Sequence, residues 1–138
     1  MYSKILMPLD LEHADKMTKA IATAAELAKA HNSQLTMMSV TGRAPNAVAH
    51  DPAEYKRKLV AFVDAQAARY GIAINAVERE SVDVAAELPQ ILESEAEAHG
   101  YDLIVMASHV PGLMDHVFSS NAGHIASYSA LSVFVVRG

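Results

Sequence analysis

The sequence contains no cysteine. A disulfide framework, a thiolate metal site and a cysteine nucleophile are thereby excluded, and the chain is compatible with a reducing compartment. Basic residues are not in excess either: 11 Lys and Arg stand against 16 Asp and Glu, a formal net charge of -5 at pH 7. A nucleic-acid binder usually shows a basic stripe. The densest basic cluster here, Lys56-Arg57-Lys58, reads as the solvated face of a helix, so no nucleic-acid partner is expected. No apolar run approaches the roughly 18 residues that a membrane span requires, and no direct membrane insertion is expected. The opening residues, Met1-Tyr2-Ser3-Lys4-Ile5-Leu6-Met7-Pro8, lack the apolar core and cleavage site of a secretory leader and read as a first strand. The expected location is cytoplasmic. Linkers, internal repeats and low-complexity segments are missing as well, so residues 1–138 are expected to form one domain.

What the chain does have is a globular balance, 51% hydrophobic and 20% charged. A domain of this size buries roughly two-thirds of the surface its unfolded chain exposes, so it needs no staples.

Short apolar runs alternate with helical periodicity. Residues 4–9 read as a buried strand, followed by polar Asp10-Leu11-Glu12-His13. Ala14, Met17, Ile21, Ala24, Ala25 and Ala28 recur at helical spacing, and the many alanines favour close packing on a sheet. Residues 34–40 give a second strand. Asp51-Pro52 is a helix start, Asp as cap and Pro in the first turn. Tyr55, Leu59, Phe62, Val63 and Tyr70 form the apolar stripe of that helix, and Gly71 ends it.

Residues 72–77 read as a weaker third strand. Ser81 or Asp83 caps a third helix with the stripe Val84, Leu88, Ile91 and Leu92. Pro89 would cost about 3 kcal/mol in a helix interior, so this helix is expected to start near Glu87 or to kink. Residues 103–107 form the clearest buried strand. A polar loop over 108–118, a short helix over about 120–127 and a last strand, Val133-Phe134-Val135-Val136, complete the chain.

The alternation βαβαβαβαβ implies right-handed crossovers and a three-layer α/β domain, a five-stranded, mainly parallel open sheet with helices on both faces. Ligands of such sheets bind beyond the carboxyl ends of the strands, where strand order reverses. The loops after the first and fourth strands are therefore the places to look. Asp10, just past the first strand, can accept from a ribose hydroxyl, bind a metal, or cap the next helix. After the fourth strand, Ser119-Ser120-Asn121-Ala122 opens a helix whose free N–H groups and dipole favour phosphate. A serine there is equally a plain N-cap.

Ile5-Leu6-Met7-Pro8-Leu9-Asp10 resembles the opening strand of the universal stress proteins. Tyr101-Asp102-Leu103-Ile104-Val105-Met106-Ala107-Ser108-His109 resembles that family's most characteristic segment, Asp-Leu-Ile-Val-Met-Gly-Ser-His. Ser119-Ser120-Asn121-Ala122 is similar to its later Gly-Ser segment, and Val133-Phe134-Val135-Val136-Arg137 to its terminal strand. The resemblance covers the whole chain. It implies strand order 3-2-1-4-5, a homodimer, and binding of ATP or AMP, with Mg, by a regulatory stress-response module. Carried over, Asp10 and the Val40 backbone hold the nucleoside, while Ala107, His109, Gly112, Ser119, Ser120 and Asn121 line the phosphate path.

The sequence departs from the family's glycine motif (Gly, two residues, Gly, nine residues, Gly-Ser) at every glycine. Ala107, Val110 and Ser119 stand in those places, the last after a loop one residue shorter, and Gly112 matches an additional loop glycine. Glycine permits positive φ and close approach to phosphate. A β-branched Val110 at positive φ would be an outlier, so this loop is expected to differ in shape, stiffened by Pro111. The alternatives are a dimeric scaffold that binds no nucleotide and a weak ATP hydrolase. No Walker lysine motif, Gly-x-Ser-x-Gly elbow or His-Glu-x-x-His is present, so no catalytic residue is assigned. The seven histidines fall mostly at helix ends and in loops, where solvated His is ordinary, and no metal site is assigned among them. In the implied topology the terminal strand is a sheet edge, which two copies would cover by pairing Val133 to Val136 across a two-fold axis. Leu113, Met114, Val117 and Phe118 add an apolar loop suited to a subunit contact.

Overall fold

The computed structural model describes residues 1–42, 44–108 and 131–137. Five strands, β1 (Lys4–Pro8), β2 (Gln34–Thr41), β3 (Ile74–Glu80), β4 (Leu103–Ala107) and β5 (Ser132–Val136), make one sheet in the order β3-β2-β1-β4-β5. All four pairings are parallel. Successive residues of a strand point to opposite faces. Ile5, Leu6 and Met7 are each 0% exposed and Leu103 to Ala107 are all buried, so both faces of the central strands are covered. This is the architecture expected from the sequence.

The described helices are α1 (Thr18–His31), α2 (Pro52–Tyr70) and α3 (Val84–His99). Right-handed crossovers put α1 and α2 on one face, and α3, which returns the chain from β3 to β4, on the other. The alanines of α1 act as expected: Ala20, Ala24, Ala25 and Ala28 are buried and let the helix backbone approach the sheet. The helix starts are chemically fixed. Asp51 accepts from the Glu54 N–H (2.8 Å) while the Glu54 carboxylate accepts from the His50 N–H (3.0 Å). Asp83 accepts from the Ala86 N–H (3.2 Å) and the Glu87 carboxylate accepts from the Asp83 N–H (3.2 Å). Such reciprocal caps satisfy first-turn donors and place acidic groups at the positive end of the dipole. Lys56-Arg57-Lys58 does lie on a helix, and Lys58 turns back to Glu54 and the Val48 carbonyl.

Three boundaries differ from the sequence reading. The first helix does not begin at Ala14: residues Leu11–Met17 form a 3-10 segment with non-helical dihedrals at His13 (φ -116, ψ 21), and α1 starts at Thr18. β3 begins at Ile74 and runs through Glu78-Arg79-Glu80. It is an edge strand, where charge faces solvent and deters further pairing, so apolar periodicity understates it. α3 starts at Val84, not near Glu87, and runs through Pro89. The reciprocal Asp83 and Glu87 cap secures the turn ahead of the proline. The helix expected over 120–127 lies outside the described residues.

Asp102, the acidic residue at the head of the fourth-strand segment, serves the fold. Its carboxylate accepts from the Ser3 N–H (2.9 Å) and the Lys4 N–H (3.1 Å), tying the start of β1 to β4. The Lys4 ammonium donates to the His99 carbonyl at the end of α3 and lies 4.8 Å from the Tyr101 ring.

Candidate functional site

Strand order reverses between β1 and β4, which makes their carboxyl ends the topological switch point. β1 ends at Pro8, and its pairing with β4 covers Ile5 with Leu103 and Leu6 with Ile104. A proline has no N–H with which to extend a ladder.

On the other side of β1 the ladder also stops, while β2 continues to Thr41. The Leu9 N–H still donates to the Met38 carbonyl (2.8 Å). The Leu9 carbonyl, which would take the next bond from the Val40 N–H, accepts instead from the Ser39 hydroxyl (2.6 Å). Residues of a strand direct their backbone groups alternately to the two sides. Thr41 faces β3, where its carbonyl accepts from the Ser81 N–H (2.8 Å). Val40 therefore turns its N–H and C=O to the side of Met38, past the end of β1, and among the described residues neither group has a partner.

A cleft of about 150 Å³ opens at that place, lined by Leu9, Asp10, Glu12, Val40, Thr41, Gly42, Asn46, Val48, Tyr55 and Val84. Larger surface depressions lie along α3 and at the amino ends of the strands, but not at the strand ends where this fold places ligands. Tyr55 of α2 is 5% exposed. The Leu11 N–H donates to its hydroxyl (3.3 Å), so a core phenol holds the turn that presents Asp10. Burial raises the Tyr55 pKa above its usual value near 10.0, offset in part by hydrogen bonds with Ser39 and the Leu11 N–H.

Asp10 and Val40, both named from the sequence, share this cleft. One Asp10 oxygen accepts from the Glu12 N–H (3.1 Å) and the other meets His13 Nδ1 (2.8 Å). The carboxylate is about a quarter exposed (25%), so it is aimed and still accessible. It caps the 3-10 segment as well. Asp10, Glu12 and His13 bring one ligand atom each within 4.8 Å of one another, an arrangement that exposed acidic groups often show without a metal. Ala107 is the last residue of β4, buried and paired with Val136, and is not among the residues lining the cleft. His109, Gly112, Ser119, Ser120 and Asn121 lie outside the described residues, as do Leu113, Met114, Val117 and Phe118. Sequence reasoning missed Ser39, Thr41, Asn46 and Tyr55. Only packing brings these together, though Ser39 next to Val40 at a strand end was a usable cue.

The architecture is that of a doubly wound α/β domain with a cleft at its switch point. Residues 1–137 match the profile of the Universal stress protein family, and the chain belongs to that family. Solved structures with the same fold include a universal stress family protein from Burkholderia pseudomallei (24% identity, 98% of this chain and 96% of that one, TM-score 0.67). A universal stress protein in complex with cAMP is 16% identical over 98% and 97% of the two chains, with a TM-score of 0.63. The universal stress protein from Archaeoglobus fulgidus in complex with dAMP is 17% identical over 97% of each chain, with a TM-score of 0.62. No curated protein sequence matches the chain significantly.

Proposed function

We propose that this universal stress protein is a stress-response binding module that takes an adenine nucleotide in the β1/β2 cleft. One observation supports this above the others: the Asp10 carboxylate and the Val40 backbone groups, which have no partner among the described residues, share a single cleft at the carboxyl end of the sheet. Two relatives of the same fold hold adenine monophosphates, cAMP and dAMP. In this reading Asp10 accepts from the ribose hydroxyls, and the Val40 N–H and C=O hold the base. At about 150 Å³ the cleft is smaller than the roughly 300–1,000 Å³ of ordinary ligand sites, so it takes the nucleoside end. Ala107, His109, Gly112, Ser119, Ser120 and Asn121 supply the phosphate path. Mg²⁺ accompanies the polyphosphate forms.

The working form is a cytoplasmic homodimer paired through β5. That strand is a sheet edge and its Phe134 is 43% exposed; an apolar edge calls for cover. The loss of every motif glycine favours a second reading, a dimeric scaffold that binds no nucleotide. Isothermal titration of the wild type and of Asp10→Ala with AMP and with Mg-ATP separates the two, with thermal unfolding to verify that the variant is folded. Saturable wild-type heat lost in a folded variant supports the nucleotide reading. No wild-type heat at millimolar nucleotide selects the scaffold.

A further inference from the structure

The charge around the cleft bears on which nucleotide it takes, and this inference rests on the nucleotide reading just given. Among the described residues the two charged ones lining the cleft, Asp10 and Glu12, are both carboxylates. The Thr41 hydroxyl is already spent on a third, donating to Glu78 (2.9 Å). The acidic groups thus present acceptors, which suit the donors of a sugar and repel phosphate oxygens.

The Lys58 ammonium, which donates to the Val48 carbonyl, is paired with Glu54 (3.3 Å), and cations are scarce elsewhere. Residues 80–136 contain no lysine and no arginine. That stretch includes every residue assigned to the phosphate path, so however it is placed it brings no permanent positive charge to the ligand. Its cationic candidates are histidines, including His109, His116 and His124. Arg43 follows Gly42 in the chain, but its single charge does not match the two carboxylates of the lining.

We infer that the site selects adenine ligands of low charge, the nucleoside and the monophosphates, and discriminates against free ATP, which it accepts only when Mg²⁺ screens the polyphosphate. Two carboxylates at about 8 Å from two added phosphate charges weaken binding on the order of tenfold at low salt, even in water-like surroundings. Screening by salt must shrink that gap, because the Debye length is only about 8 Å at 0.15 M ionic strength.

The test is a titration series at pH 8 with adenosine, AMP, ADP and ATP, each with EDTA and with Mg²⁺, at 20 mM and 300 mM NaCl. Expected in EDTA at low salt is a fall in affinity from AMP to ATP of on the order of tenfold. Salt narrows that gap, Mg²⁺ restores ATP binding without changing adenosine binding, and Glu12→Gln narrows the gap about threefold. Mg²⁺-free ATP binding as tightly as AMP would overturn the inference while leaving the nucleotide reading intact. Failure of adenosine and AMP to bind at all would remove both.

Discussion

Replacing Asp102 with alanine should destabilise the protein by about 2–3 kcal/mol while leaving any ligand affinity untouched. Asp102 accepts from two backbone donors of another strand, the Ser3 N–H at 2.9 Å and the Lys4 N–H at 3.1 Å. Its own N–H donates to the Lys4 carbonyl (3.0 Å), and its carbonyl accepts from Ser132 (3.2 Å), so the residue joins β1, β4 and β5. Hydrogen bonds to a charged acceptor contribute roughly 1.5–3 kcal/mol each. Asp102 is half-buried and water can reach part of the gap, so the two bonds together belong near the lower end. For a domain of this size about 2–3 kcal/mol corresponds to a fall in Tm on the order of 6–12 °C. Urea unfolding followed by circular dichroism gives the quantity directly, and the slope should not change, because the surface exposed on unfolding is the same. Asp102→Asn, which keeps one good acceptor, should lose about half as much. A loss below about 0.5 kcal/mol for Asp102→Ala would refute the assignment of this carboxylate as a tie between strands.

Other outcomes follow from single contacts. Burial holds the Tyr55 pKa above its unfolded value, so the stability this phenol contributes is fully present below about pH 10 and is lost as pH rises through the folded pKa; Tyr55→Phe should flatten the alkaline limb of a stability profile. Glu54 runs the other way: hydrogen bonding to the His50 N–H and then to Lys58 lowers its pKa from 4.5, so its contribution is present at neutral pH and disappears on acidification, and Glu54→Gln should reduce the acid sensitivity of thermal unfolding. Ser39→Ala removes the donor that ends the ladder at Leu9 and should cost about 1–2 kcal/mol in urea unfolding, since it leaves a buried carbonyl short of a partner. Phe134→Lys on the exposed edge should shift sedimentation at micromolar protein from dimer to monomer, and a monomeric wild type would contradict the edge-pairing argument.

The parts of the fold legible in the sequence were those where one physical signal acts alone. Leu103-Ile104-Val105-Met106-Ala107 is a continuous apolar run because β4 is buried on both faces. Asp51-Pro52 and Asp83 announce helix starts through side-chain chemistry that needs no tertiary partner. The edge strand β3 was misplaced because its last residues, Glu78-Arg79-Glu80, are charged yet pair their backbone with β2, which apolar periodicity does not register. Pro89 misled because propensity cannot anticipate a cap strong enough to start the helix ahead of it. At the site, Asp10 was named from its place past the first strand, and Val40 only from the family resemblance. The contacts that shape the cleft were not readable: Ser39 reaches back 30 residues to Leu9, and Tyr55 reaches 44 residues to Leu11. Such pairs are products of packing, and no local pattern encodes them.

The central claim is that an adenine nucleotide sits where β2 outlasts β1, and amide chemical-shift mapping tests it most directly. An AMP titration of ¹⁵N-labelled protein should produce saturable shifts at Leu9, Asp10, Glu12, Val40, Thr41 and Gly42, with the Val40 amide moving as its N–H bonds to the ligand. Saturable shifts confined to another surface, or none at millimolar AMP, would contradict it.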